Sequence, residues 1–142
     1  MTQRTLAIIK PDAVGKGCIG EVIRCVEKDG LRIAAMKMLW MSKAEAEGFY
    51  AVHRGKHFFD SVTTFMSSGP CVVMALEGAD AIKRWREMMG LTDPGKAAPG
   101  TIRATWGSTI ESNVVHGSDA PETASFELCY FFSEMEMHGG KE

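Results

Sequence analysis

A chain of 142 residues, 45% hydrophobic and 24% charged, has the length and composition of one globular domain with a single sizeable core. Its formal net charge of -2 excludes a chain-wide attraction to nucleic acid or anionic lipid, so a phosphate site must concentrate Lys and Arg locally. No apolar run reaches the length of a membrane span, and the apolar residues 6–9 are too short for the core of a signal peptide. A cytoplasmic protein without membrane contact is expected. Cys18, Cys25, Cys71 and Cys129 lie in apolar stretches without the paired spacing of a zinc site, and read as free buried thiols.

Residues 5–9 form a compact apolar run that stops at Lys10-Pro11, a buried strand. Ile19, Val22, Ile23 and Val26 then recur at helical spacing, and Gly30 supplies the stop. Residues 31–41 return to extended character. Ser42 stands three residues before Glu45, a capping-box spacing that opens a helix to about Val52. A second short helix is expected over 58–67, ended by Gly69-Pro70. The third strand is 71–77, followed by a helix from Asp80 with Ile82, Trp85 and Met89 on one stripe and Gly90 at its end.

Residues 91–113 show little periodicity and are punctuated by Asp93-Pro94-Gly95 and Pro99-Gly100, the pattern of a long functional loop. A late strand reaches His116-Gly117, and Asp119 with Glu122 is the expected cap of a last helix to about Tyr130. There are no repeats and no linker, so 1–142 reads as one domain. Helices separated by strands at this length predict an α/β (α+β) two-layer sandwich: a ferredoxin-like βαββαβ core, an antiparallel sheet covered by helices.

Gly15-Lys16-Gly17-Cys18-Ile19-Gly20 matches the dinucleotide fingerprint G-x-G-x-x-G, yet four residues separate it from the strand, and Glu21 stands where a phosphate loop needs Lys. A flexible turn into the helix is the better reading. His53 and His57 have metal-ligand spacing, but Gly55 weakens the helix between them and no Glu follows the first. His138 falls in a Gly-rich tail and is expected in solvent. His116 ends an apolar approach just before a helix N-terminus, where backbone N–H groups and the helix dipole favour phosphate. From these residues alone it reads either as a hydrogen-bonded histidine or as a neutral nucleophile.

Asn113-Val114-Val115-His116-Gly117-Ser118-Asp119 resembles the N-x-x-H-G-S-D signature of nucleoside diphosphate kinases. Thr5-Leu6-Ala7-Ile8-Ile9-Lys10-Pro11-Asp12 resembles the first strand of that family. Ser68-Gly69-Pro70, Thr92-Asp93-Pro94 and Pro99-Gly100-Thr101-Ile102-Arg103 resemble further segments in the same order. The resemblance runs from Thr5 to about Phe132. It implies that His116 carries the phosphate in a ping-pong transfer from a nucleoside triphosphate, mainly ATP, to a nucleoside diphosphate, maintaining NTP and dNTP pools.

The resemblance also implies roles for other residues. Glu127 orients the imidazole; Lys10, Arg86, Arg103 and Thr92 contact phosphates; Tyr50 lies near the transferred group and His53 near an inner phosphate. Phe58 stacks on the base against Val62 and Ile110, which fits broad base tolerance. Asn113 and Lys10 reach the sugar, and Gly117 lies against the nucleotide. Mg²⁺ is expected on the phosphates, with Asp119 assisting through water. Lys56-His57, Trp85 and the segment 106–112 depart from the usual pattern. Relatives form closed assemblies of dimers, and a tetramer or hexamer is expected, without specific nucleic acid. The alternative, a catalytically weak homologue used for nucleotide or nucleic-acid binding, sits poorly with the complete residue set. An RNA-binding module would want exposed aromatics on its strands, where here only Trp40 stands out.

Overall fold

A computed structural model describes residues 2–140. In chain order the elements are β1 (Thr2–Ile9), α1 (Pro11–Gly15), α2 (Ile19–Asp29), β2 (Arg32–Leu39), α3 (Lys43–Phe49), α4 (Phe59–Met66), β3 (Cys71–Ala79), α5 (Ala81–Met89), α6 (Ile102–Trp106), β4 (Val115–Gly117) and α7 (Pro121–Phe131). Short 3₁₀ turns lie at Ala51–His53, Pro94–Lys96 and Glu134–Glu136. The sheet runs β2-β3-β1-β4 with every pair antiparallel, the ferredoxin-like order.

β1 is buried on both faces, which is why its sequence is a continuous apolar run rather than an alternation. Ala7 and Ile9 face a cluster with Val22 and Val26 of α2 and Trp85 and Met89 of α5. Leu6 and Ile8 face the other way, onto Ala46 and Phe49 of α3, Met66 of α4, and Leu128 and Phe131 of α7. Helices therefore cover both faces, a third layer beyond the expected two-layer sandwich. α3 and α4 are too short, and the apolar residues of α7 too evenly spread around it, to reveal which face they cover.

Local signals hold where they are self-contained. Gly30 ends α2 in the left-handed region at φ 92°. Ser42 Oγ accepts from the Glu45 N–H at 3.1 Å while Glu45 Oε1 accepts from the Ser42 N–H at 2.7 Å, the reciprocal capping box. The α-helix it opens ends at Phe49, earlier than expected, and continues as a 3₁₀ turn. Asp119 is not the cap of α7. Ala120 occupies that position, Pro121 follows it, and Thr123 Oγ1 accepts from the N–H groups of both Asp119 and Ala120 at 3.1 and 3.0 Å. The long irregular segment contains α6, whose five residues are too few to register as periodicity. Cys18 and Cys71 are buried, but Cys25 is half-buried and Cys129 exposed, so two of the four thiols depart from the expected burial. His138 is exposed, as its Gly-rich setting suggested.

The tail after α7 is tied to the sheet by the His138 N–H on Ala34 O, by Lys37 on Glu136, and by a cluster around one carboxylate. Glu77 of β3 accepts from Arg4 Nε at 2.8 Å, Arg32 Nη2 at 3.0 Å and the Gly140 N–H at 3.0 Å. The Gly140 N–H and then the two guanidinium groups pull its pKa down to about 2 against the opposing effect of burial. A depressed carboxylate pKa means stability that is full above the unfolded value near 4.5 and is lost as pH falls towards 2. Thermal melts between pH 6 and 2 are expected to show wild type losing its advantage over Glu77→Gln within that window. Parallel curves would contradict this role.

Candidate active site

The site is assembled where β1, β4, α5 and α6 meet. Lys10 leaves β1 with 7% of its surface exposed, and its Nζ donates to Asn113 Oδ1 at 2.6 Å. Asn113 Nδ2 in turn donates to Thr92 O at 3.0 Å. Burial, followed by the nearby Arg103 charge, lowers the Lys10 pKa to about 8, opposed by Asp12 and Glu111.

Val114 follows at φ 75°, a left-handed conformation in which a β-branched side chain is strained by roughly 1–3 kcal/mol. Two hydrogen bonds hold it. Its N–H donates to Asp12 Oδ2 at 3.0 Å, and its carbonyl accepts from the Lys10 N–H at 2.8 Å. The resulting turn points Asn113 at Lys10 and feeds Val115 into β4, where His116 pairs with Ile8.

The His116 ring is oriented on several sides. Nε2 lies 2.9 Å from Glu127 Oε1, an oxygen that also accepts from Ser118 Oγ at 2.8 Å. Ser118 Oγ accepts from the Leu6 N–H at 3.2 Å, which anchors this chain of contacts to the central strand. Phe49 meets the imidazole edge-on at a centroid distance of 5.4 Å, and Tyr50 lies at 6.3 Å. The buried Trp85 donates its indole N–H to the His116 carbonyl at 3.1 Å. Gly117 is required beside it, since a Cβ there would lie 2.6 Å from Trp85 Cδ1 and from Met89 Cε. Trp85 thus supports the strand that carries the histidine.

Arg103 of α6 is buried without a carboxylate partner among the described residues. Its guanidinium donates to Gly90 O at 3.0 Å, Val115 O at 2.8 Å and Asn113 O at 3.3 Å. Burial, then the charge of Arg86, lowers its pKa to about 10. Arg86, half-exposed on α5, pairs with Asp119 at 2.6 Å. The N–H groups of Asp119 and Ala120 beside His116 are already taken by Thr123, so positive potential here comes mainly from side chains.

These groups border a cleft of about 1110 Å³. Lys10, Tyr50, His53, Val62, Arg86, Thr92, Arg103, Ile110, Asn113, His116, Gly117 and Asp119 all line it. Burial raises the Tyr50 pKa, so its phenol stays a donor. Phe58 sits at the rim, 38% exposed, with its ring 5.4 Å from that of His53. Lys56 lies over that ring at 5.8 Å and His57 meets its edge at 5.5 Å, so the departure at Lys56-His57 flanks the aromatic without replacing it. Glu127 stands behind the histidine. Gly15 at the end of α1, Gly17 in the turn that follows and Gly20 in the first turn of α2 lie outside the cleft lining. Sequence reasoning missed Asp12 and Ser118 as positioning groups. Both stand inside the recognised segments, but nothing local shows what they reach.

A ferredoxin-like sheet whose edge strand presents an oriented imidazole to a cation-lined cleft defines an enzyme that handles phosphate groups. The family profile described as nucleoside diphosphate kinase matches residues 3–137. A nucleoside diphosphate kinase of Desulfosudis oleivorans is 62% identical over 137 residues, covering 96% of this chain and 99% of the relative. One from Nitratidesulfovibrio vulgaris is 56% identical over 139 residues, covering 98% and 100%. Among solved structures, Aquifex aeolicus nucleoside diphosphate kinase superposes with a TM-score of 0.94 at 45% identity, covering 96% of this chain and 99% of that one. The Halobacterium salinarum enzyme in complex with CDP gives 0.95 at 37% identity, covering 100% and 95%. The chain belongs to the nucleoside diphosphate kinase family and is a phosphotransferase. No described helix is long and apolar enough to cross a membrane.

Proposed function

We propose that residues 1–142 act as one domain that moves the γ-phosphate of a nucleoside triphosphate, mainly ATP, to a nucleoside diphosphate through His116. The observation that carries this reading is the Nε2 contact to Glu127 at 2.9 Å, which leaves Nδ1 as the ring nitrogen without a protein partner among the described residues. With Glu127 accepting from Nε2–H, the lone pair resides on Nδ1. In the first half-reaction the Nδ1–P bond forms, the bond from phosphorus to the β-phosphate oxygen breaks, and the diphosphate leaves with that electron pair. Glu127 stabilises the charge that the imidazole gains. The second half-reaction reverses these steps onto a new diphosphate.

Arg103 uses three of its five donors on carbonyls and keeps two for phosphate oxygens. Arg86, Thr92 and Lys10 complete the cradle, Tyr50 donates near the transferred group, and His53 meets an inner phosphate. Phe58, Val62 and Ile110 hold the base, and Asn113 with Lys10 holds the sugar. Mg²⁺ fits this site as an ion carried on the phosphates. Asp119 is the carboxylate beside Arg86 at that end and would assist through water, where the ion would offset negative charge. On this reading the protein works in the cytoplasm as a tetramer or hexamer built from dimers, serving NTP and dNTP pools.

Incubation with Mg²⁺ and γ-labelled ATP is expected to leave acid-labile, base-stable label on the protein, chased by added GDP or CDP. Failure of wild type to take up label would remove the proposal. The Lys10 pKa adds a second expectation. Bound phosphates favour charged lysine, so nucleotide KM is expected to rise as pH passes about 8, and this rise should vanish in Lys10→Gln. The free protein behaves oppositely. Between about 8 and 10.5 the unfolded chain holds the proton more tightly, so stability rises with pH. A pH-independent KM in wild type would contradict the assignment.

A further inference from the structure

The segment 106–112, which forms one wall of the cleft, is anchored at its start by Trp106, which packs against the core, and beyond Trp106 it is secured by polar contacts. At its start Lys16 Nζ donates to Trp106 O at 3.0 Å and Ser108 Oγ at 2.9 Å. Inside it the Ser108 N–H donates to Ser112 O at 2.9 Å, and the Ser112 N–H donates to Thr109 Oγ1 at 2.9 Å, so the loop is closed on itself. Ile110 at its tip remains 62% exposed, and apolar packing does little to hold it. At the far end Ser61 Oγ donates to Glu111 Oε2 at 2.6 Å, joining residues fifty positions apart.

That last contact bridges the two walls of the cleft. Ser61 immediately precedes Val62 on α4, and Glu111 immediately follows Ile110; Val62 and Ile110 both line the cleft. A base between these walls is held by stacking and dispersion, and a gap of about 0.5–1 Å forfeits roughly a quarter to a half of that attraction. A wall fixed in advance also avoids the ordering cost of binding. We propose that the Ser61–Glu111 hydrogen bond is a latch that sets the width of the base slot, which makes both side chains positioning residues for nucleotide binding. The proposal rests on the nucleotide reading above. Glu111 also acts on the charge of Lys10, so the latch and the sugar-phosphate end of the cleft share one loop.

Both side chains lie near the surface, so alanine variants of the full chain should fold, and thermal melts check that they do. Ser61→Ala, Glu111→Ala and the double variant are compared for KM with ATP and with a diphosphate acceptor. Each single change is expected to raise both KM values about threefold to tenfold while kcat stays within about twofold. Because the two residues act as a pair, the double variant should be no worse than the worse single, and Ser61→Thr, which keeps the hydroxyl, should restore KM. Unchanged or lowered KM, additive losses in the double variant, or a loss confined to kcat would each overturn the latch. Labelling of wild type by γ-labelled ATP, run alongside, separates the two levels. Normal labelling with flat KM values removes the latch alone, and absent labelling removes the nucleotide reading with it.

Discussion

Replacing His116 with alanine is expected to abolish label uptake from γ-labelled ATP and to lower turnover by about four orders of magnitude or more. The size of the effect follows from the route. Without the imidazole no covalent carrier links the two half-reactions, and a cleft that takes one nucleotide at a time cannot align donor and acceptor together. The protein should remain folded, because the β4 pairing to Ile8 is made by backbone and the ring is only partly enclosed. The variant should still bind nucleotide, since Lys10, Arg86 and Arg103 are untouched. Labelling, coupled turnover and a binding titration on one preparation check all three points. Turnover within tenfold of wild type would show that another group accepts the phosphate.

Arg103→Met is expected to damage both stability and catalysis, the second largest effect. The guanidinium joins two segments around the site, Gly90 at the end of α5 and the turn from Asn113 to Val115 that enters β4. Methionine fills similar space and leaves those carbonyls without their donor, a loss of about 2–4 kcal/mol when overlapping effects are allowed for. On the proposed reading it also removes a buried cation from the phosphate cradle, worth about 10²–10³ in kcat/KM. Arg103→Lys should recover part of the activity through its charge but little of the stability, because an ammonium cannot span three diverging carbonyls. Urea unfolding and steady-state kinetics measure the two losses separately. A methionine variant as stable as wild type would show that the three carbonyls are otherwise satisfied.

The strained Val114 explains why several site residues depend on one another. A β-branched residue at φ 75° persists only if its surroundings over-determine it, and Asp12 and the Lys10 backbone supply that constraint. Asp12 has one carboxylate oxygen on the Val114 N–H, while the other is buried without a protein partner among the described residues. The same turn sets Asn113 against Lys10 and starts the strand that bears His116. Position is thus transmitted through the backbone, and the imidazole gains a fixed direction without a hydrogen bond of its own to Lys10.

The sequence by itself determined what short-range chemistry controls. The apolar run of β1, the glycine stop at Gly30, the Ser42-Glu45 capping box and the strand at His116 all rest on residues within a few positions of one another. The family resemblance singled out His116, Lys10, Arg86, Arg103, Thr92 and Asn113, and all six line one cleft. Tertiary structure alone decided the rest. The partners of Asp12 and Val114 are 102 positions apart, and those of Ser61 and Glu111 are fifty. Periodicity and capping rules cannot see such pairs, because sheet order and loop closure set them. The start of α7 shows the same limit at short range. Asp119 has the side chain of a cap, yet it pairs with Arg86, and Thr123 takes the N–H groups of Asp119 and Ala120 just ahead of the helix. A carboxylate goes to the strongest partner that the fold brings near, and only the folded chain brings Arg86 there.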